Sequence, residues 1–514
     1  MFLRRPSPRG PAMAAGLAAV SLLVAACGDG SAGTSAGGAE DGTVNWEWQL
    51  PTSWDPVTSS AGWDVHALSL VYSSITAVDK NGNAVGGLAS SWKYGPDGKS
   101  ITFTLRPDLK FSDGTPEDAE AVKANILRGR DTPDSRIASQ LREITDVTVH
   151  SPTSLTVALS QVDYQVPNLL AGKTGMVVSP TAFKKNAAAL ATQPVGDGPF
   201  VLNSYVPGSR ADLSRNPSYW DAKDIHLAKF SVQSITDQQQ ILAALVSGQI
   251  NVAVIKGSQV AAAKAAGFTI NEIPSETVNT LDIKTSVAPF DSPQVVQALN
   301  YAIDRQALVQ TQEFGHGTPS YQPFPKGYVG YNPSLADLYP HDVAKAKQLL
   351  AAAGYPTGVD ITLTTSVAEG TAEQLQAQLG EAGFRAKLTV IPAAQATQVM
   401  YIQKQPALAL DGTAGRESPL QMLEVLYDKA GLMNLTAAQT PAVKAAFDKV
   451  RSVALDSPDY PGALQGAVAT VINDPLSAHV WLYSYPRILA TSPKVTGLPY
   501  DLVAQRFEGV RAGS

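Results

Sequence analysis

VDITLTTSVAEGTAEQLQAQLGEAGFRAKLTVI, residues 359–391, reads as strand, helix, strand. Ile361 and Leu363 alternate with polar residues on the first strand, and Leu388 and Val390 do so on the last. Leu375 and Leu379, four residues apart, lie on one face of the helix between. Such a unit favours parallel pairing through a right-handed crossover, because a right-twisted strand packs its following helix back on the sheet only that way. Strands mixed with helices then predict an α/β chain with more than one lobe.

Just upstream, a helix runs through Ala344 to Ala353 and stops at Gly354, with Pro356 beyond. Ser292-Pro293 opens another, with Val296, Leu299, Ile303 and Leu308 roughly along one face. Thr115-Pro116-Glu117-Asp118 reads as an N-cap, a proline in the first turn and acidic residues behind it. Ile101, Phe103 and Leu105 alternate with Thr102, Thr104 and Arg106 as a half-buried strand does. Val147, Val149, Leu155, Val157 and Leu159 flank Ser151-Pro152-Thr153 as a hairpin, and Phe200-Val201-Leu202 and Leu213 flank a turn at Pro207-Gly208.

At the N-terminus, Arg4, Arg5 and Arg9 precede a short apolar run, Leu17 to Ala26, that ends at Cys27, the single cysteine. Basic residues, an apolar core too short to span a bilayer and small residues before a processing point describe an export signal over residues 1–26. Gly28 to Gly42 is rich in Gly, Ser, Ala and Thr and reads as a flexible tether, so 27–42 links an anchor to the fold. With one cysteine there is no disulfide, and stability must come from the core.

The chain has 514 residues, 39 basic and 45 acidic. Loss of the three signal arginines leaves 36 basic against 45 acidic residues, a net charge of −9 over about 488 residues. That length exceeds one core, and that charge argues against a nucleic-acid partner, which would want a basic face. The glycine patterns at Gly28 to Gly33 and Gly33 to Gly37 imitate a dinucleotide loop and a nucleophile elbow, but neither has the flanking strand and helix that chemistry needs. His66, His150, His226, His316, His341 and His479 show no zinc spacing, and no phosphate loop is present. No cofactor, metal site or catalytic residue is predicted.

Val24-Ala25-Ala26-Cys27 resembles a bacterial lipobox, in which the cysteine is lipidated. The rest of the chain resembles the extracytoplasmic solute-binding proteins of the peptide/nickel class of ABC importers. Leu88-Ala89-Ser90-Ser91-Trp92, Thr102 to Arg106 and Lys110 to Pro116 follow that family's order. So do Pro194 to Phe200, Arg215 to Trp220, Ala288 to Pro293, Gln297 to Arg305, and Ala344 to Leu350 with Ala353 to Pro356. The resemblance implies a two-lobed periplasmic-binding-protein-like fold, with a hinge and an extra subdomain in lobe one. Lobe one spans 43–276 with the subdomain near 88–174, lobe two spans 277–483, and 484–514 returns to lobe one. It implies a monomer that buries a small-molecule or peptide ligand between its lobes. The closed form is recognised by ABC permease subunits in the membrane. The protein is expected outside the cell membrane, held by lipid on Cys27. An exported hydrolase and a sensory co-receptor are the alternative readings.

A buried solute needs apolar walls and a few fixed polar groups. Trp46, Trp48, Trp54 and Trp63 crowd one segment, and Trp54-Asp55-Pro56 stands where similar proteins have a ligand-adjacent loop, so Trp54 and Trp63 are candidates beside core packing. Trp481 and Tyr483 alternate with Leu482 and Ser484, which predicts an aromatic pair on one side of a strand. In the peptide-binding proteins resembled, the region of Asp411 to Pro419 carries a tryptophan and an aspartate that pairs with a peptide's amino terminus. Here Gly412 and Gly415 take those positions, and Asp411, Arg416 and Glu417 are the charged candidates nearby. The departure leaves peptide, sugar, metal chelate and other small polar metabolites open as the ligand.

Overall fold

Strands Val359–Thr365 and Phe384–Val390 pair in parallel along their length, Val359 opposite Phe384 and Thr365 opposite Val390. Helix Glu369–Ala382 crosses between them and buries Ala372, Leu375 and Leu379 against Ile361 and Leu363. The crossover closes on two glycines with positive φ, Gly358 at +93° and Gly383 at +100°. A Cβ on Gly358 would sit 2.4 Å from the Gly383 carbonyl oxygen, so the backbones approach only because that side chain is missing. The structure, a computed structural model, describes residues 42–79, 82–366, 369–413, 415–416, 418–498 and 507–513. The export signal, the tether as far as Asp41, Cys27 and Glu417 lie outside the described residues, and Gly42, expected to end the tether, opens the strand Gly42–Glu47.

The parallel pair is one edge of a six-stranded sheet. Its order is Thr318–Pro319, Ala478–Ser484, Val278–Ile283, Leu408–Thr413, Val359–Thr365, Phe384–Val390. Strand alternation feeds two cores: Leu408 and Leu410 join one cluster and Ala409 the other. Helices Pro293–Ala302, Val343–Ala352 and Glu369–Ala382 cover the first face. Helices Pro419–Tyr427, Pro441–Arg451 and Tyr460–Ile472 cover the second.

A second, seven-stranded sheet runs Thr269–Ile273, Arg487–Thr491, Val252–Val254, Gly42–Glu47, Leu227–Gln233, Arg210–Arg215, Phe200–Val206. It forms the other lobe together with an antiparallel sheet of four strands, Ala89–Tyr94, Ser100–Leu105, Ser154–Leu159 and Ile144–Ser151. Ile101, Phe103 and Leu105 face inward there, beneath helix Ala119–Asp131. The chain passes between the large sheets twice, from Ile273 to Val278 and back from Ser484 to Arg487. Two short crossings side by side make a hinge. Among the described residues no helix is long and apolar enough to cross a membrane.

Two helix boundaries differ from the sequence reading. The helix expected to start at Thr115-Pro116 starts at Ala119, capped by Asp118, whose side chain accepts from the Ala121 N–H. Thr115 is held in the preceding turn, its N–H on Asp113 and its carbonyl on the Phe111 N–H. The helix expected from Ser292-Pro293 through Leu308 is two helices, Pro293–Ala302 and Arg305–Gln312. Asp304 restarts the second by accepting from the Ala307 N–H. The buried Arg305 guanidinium holds the corner by donating to the carbonyl oxygens of Asn300, Ser320 and Trp481.

Candidate functional site

The hinge residue Glu276 starts the site. It is 5% exposed, and its Oε2 accepts the Arg416 N–H at 3.2 Å, tying the first crossing to the loop after strand Leu408–Thr413. A Cβ on Gly415 would sit 3.2 Å from the same Oε2, so glycine there makes room for the carboxylate.

Glu276 and Arg416 line a cavity of ≈ 960 Å³ between the lobes. Lobe one contributes Trp92, Tyr94 and Tyr164; lobe two contributes Tyr328 and Tyr460. The rings of Tyr94 and Tyr164 lie 4.7 Å apart and tilted, and the Tyr94 hydroxyl donates to the Asp163 carbonyl. Tyr328 Oη is buried without a hydrogen-bond partner, a polar group left for a ligand to satisfy. Aromatic walls with a few placed polar groups are the composition of a small-molecule site, and the volume falls in the range of such sites.

The lobes touch around this cavity. The Tyr164 N–H donates to the Arg451 carbonyl at 2.9 Å, and Tyr460 Oη donates to Gln165 Oε1 at 3.0 Å. Arg142 of lobe one donates through both Nη atoms to Asp428 of lobe two, at 3.3 and 3.1 Å. Asp163 lies at this seam, and burial, with the Glu424 charge added, raises its carboxyl to about 7 despite the Gln165 N–H and Arg451. The lobes are therefore closed on one another here.

The residues singled out from sequence are distributed differently. Arg416 lines the cleft. Asp411 turns into lobe two, where its Oδ2 meets Tyr401 Oη at 2.6 Å, and burial raises its carboxyl to about 6. Trp54 is fully buried in the lobe-one core, edge-on to Tyr205, while the neighbouring Asp55 is paired with Arg128. Trp63 is half-buried against that core, stacked on His66 and edge-on to Trp48. It stands near the hinge, since His66 Nε2 accepts from Arg487, the first strand residue after the return crossing, at 3.1 Å. Burial, then the Arg487 charge, hold His66 well below its ordinary pKa.

Trp481 and Tyr483 do not share one side of their strand. The pairing of Val278–Ile283 with Ala478–Ser484 shifts between Asn279 and Thr280, so a bulge falls at Leu482. Trp481 joins the cluster on one face, and Tyr483 joins the other, its hydroxyl 3.2 Å from Thr371. Both are 1% exposed and neither lines the interlobe cavity. Glu276, Tyr94, Tyr164, Tyr328 and Tyr460 were missed from sequence. They come from segments far apart in the chain, and only the folded topology brings them together.

Residues 83–434 match the family described as bacterial extracellular solute-binding proteins, family 5 Middle. The chain is 30% identical over 379 residues to the glutathione-binding protein GsiB of Salmonella paratyphi A, covering 72% of each protein. Its structure is similar to the periplasmic binding protein DppA of Helicobacter pylori in complex with the peptide STSA, with a TM-score of 0.84, 21% identity and coverage of 92% of this chain and 98% of that one. It is similar also to AgaA of A. tumefaciens R10 in complex with agropinic acid, with a TM-score of 0.83, 24% identity and coverage of 92% and 99%.

Proposed function

The chain belongs to the bacterial extracellular solute-binding proteins of family 5, the binding partners of peptide/nickel-class ABC importers, and from that premise we propose how it works. It captures a small peptide or another polar metabolite in the cavity between its lobes, without converting it, and hands it to a permease in the closed form. The observation that carries this is the convergence of the hinge Glu276, the lobe-one tyrosines and the lobe-two Arg416 on one cavity. An induced or selected closure around solute is the form of change that such two-lobed proteins make. Glutathione is the first solute to try, because the GsiB relatives are named for it.

The test is native mass spectrometry of the exported, gently purified protein, followed by titration with glutathione. A retained extra mass that competes with an added solute is expected. A protein that neither retains a mass nor binds any member of a peptide and metabolite panel overturns the reading.

Cys27 is the proposed lipid anchor. Cys27→Ser is expected to move the protein from the membrane fraction to the medium or periplasm, read by fractionation and blotting. Unchanged membrane association would sink the anchor.

A further inference from the structure

A line of titratable groups runs through the otherwise apolar core around Trp481. His479, Asp282 and Asp411 stand on three neighbouring strands of the six-stranded sheet, with Asp282 directly opposite His479. Tyr401 reaches them from Thr397–Ile402, a helical turn of π type, a geometry frequent at functional sites. The side chains of His479 and Asp282 are 2% and 0% exposed. A polar chain so placed is costly unless every member is satisfied. Its position points to the hinge. Asp282 lies on the strand that follows the first crossing, and His479 on the strand that precedes the return. Asp411 lies on the strand that leads into Arg416, whose N–H is held by the hinge Glu276.

The distances fix where protons must lie. His479 Nε2 faces the Leu426 carbonyl oxygen at 3.2 Å, which can only accept, so Nε2 carries a hydrogen. Its Nδ1 is 2.7 Å from Asp282 Oδ1, a contact that needs a second hydrogen between them. Tyr401 Oη is 2.9 Å from Asp282 Oδ2 and 2.6 Å from Asp411 Oδ2. One hydroxyl hydrogen serves one of these contacts, and the other needs a proton carried by a carboxyl. Asp282 already meets the His479 proton, so the Tyr401 hydroxyl donates to Asp282 and a protonated Asp411 donates to Tyr401. The other Asp411 oxygen accepts the Gly412 N–H at 2.8 Å. Burial raises the Asp411 carboxyl to about 6; Tyr401 opposes the rise and the Asp282 charge adds to it. Tyr485 of the return crossing also feels Asp411, while Tyr427 faces Asp282 with Asp474 beyond. Among the described residues no lysine or arginine is paired with either aspartate of the chain.

We propose that Asp411 and Tyr401 are positioning residues that hold Arg416 on the hinge through one exchangeable proton, so that closure on solute is favoured in mild acid. With the proton on Asp411, every contact of the chain is a hydrogen bond. When Asp411 ionises, its proton passes to solvent, and the single Tyr401 hydrogen serves one carboxylate while the other faces a phenol lone pair. The strand that leads to Arg416 then loses its side-chain anchor. The assignment rests on the interlobe binding reading above and adds a control of that site by protons.

Hydrogen exchange of the exported protein tests the hold without any solute. The readout is the amides of Leu408–Thr413 and Arg416, corrected for the intrinsic pH dependence of exchange. Protection about ten-fold higher at about pH 5 than at about pH 8 is expected. Asp411→Asn, whose amide donates to Tyr401 at either pH, should keep the acid level of protection at both values. Tyr401→Phe should show the low level at both. Wild-type protection that does not change with pH overturns the proposal, whatever the variants do. So does a pH dependence that survives in Asp411→Asn, or an Asp411→Asn protein that is poorly protected at both values, which is the mark of a merely structural aspartate. Native mass spectrometry at the same two pH values separates this assignment from the reading beneath it. Solute retained more fully in acid by the wild type, and equally at both values by Asp411→Asn, extends the proton's role to capture. Solute retained equally at both values by the wild type overturns that role. Absence of any retained solute strikes the binding reading, while exchange still decides the hold on Arg416.

Discussion

At the scale of single residues, the deciding feature is which side chains face the cleft and which face a core. Trp481 shows the limit of strand alternation as a guide. Alternation places Trp481 and Tyr483 together, but one extra residue at the bulge sends them to opposite faces. Trp481→Ala is therefore expected to cost about 3–5 kcal/mol of stability, the usual loss for deleting a buried aromatic ring. Solute affinity of the protein that remains folded should be unchanged. Urea unfolding and titration of the same variant separate the two effects, and a loss of affinity at undiminished stability would return Trp481 to the cleft. Arg416 was one of three charged candidates in a single short segment, and it lines the cleft. Glu276 was not, since its contact with Arg416 spans 140 positions and nothing near it in sequence marks it.

At the scale of elements, periodicity was a dependable guide and boundaries were less so. The strand–helix–strand unit of 359–391 and the alternating strand of 101–105 both form where their apolar spacing puts them. The hairpins with turns at 152–153 and 207–209 form as well. Helix ends depend on which of several polar residues captures a free N–H, and neighbouring structure decides that. Thr115 and Asp118 are both good caps by type, but the turn through Phe111 and Asp113 engages Thr115, leaving Asp118 at the helix. Asp118→Ala is expected to cost about 1 kcal/mol, and Thr115→Ala less. Thermal unfolding of the two variants side by side checks the order; a larger loss at Thr115 would move the cap back.

At the scale of the whole molecule, two lobes were legible from the order of motifs, whereas the contacts that close them were not, because pairs such as Arg142 and Asp428 are 286 positions apart. That pair is partly exposed on the arginine side, so its worth is that of a surface pair, about 0.5–1 kcal/mol. Since it joins one lobe to the other, removing it should act on closure. Arg142→Ala is expected to weaken solute binding two- to five-fold while the unfolding temperature of the empty protein stays nearly constant, measured by titration and calorimetry on the same preparation. An unaffected affinity would show that closure does not use this pair.

Buried carboxyls distributed over both lobes give the molecule a pH dependence of definite sign. Burial raises Glu47 to about 7 against the backbone N–H groups of Val254 and Ile235, and raises Asp163 to about 7 at the lobe seam. Burial likewise raises Asp197 to about 6, opposed by Ser73, and Asp411 to about 6, opposed by Tyr401. In the unfolded chain such groups titrate near 3.9 to 4.3. Between about pH 4 and about pH 7 the folded protein thus holds protons that the unfolded chain has released, and stability falls as pH rises. The contribution is complete below about pH 4 and gone once pH has passed the folded values. Asp113 and Asp428 run the other way. Burial pushes them up, but hydrogen bonds outweigh it, from Thr115 and Ser179 on Asp113 and from Arg142 on Asp428, and both carboxyls end below their ordinary value. Their contribution is present above about pH 4 and is lost only in more acidic solution. The two trends meet in mild acid, and buried His66, held below its ordinary pKa, opposes the four raised carboxyls with a single proton, so the unfolding temperature should be higher at pH 5 than at pH 8. Scanning calorimetry at the two values decides it, and Asp163→Asn, which stays neutral at both, should reduce the difference. A temperature that is level or rises toward pH 8 would mean that these carboxyls are ionised in the folded protein, and that the lobes close over charge rather than over bound protons.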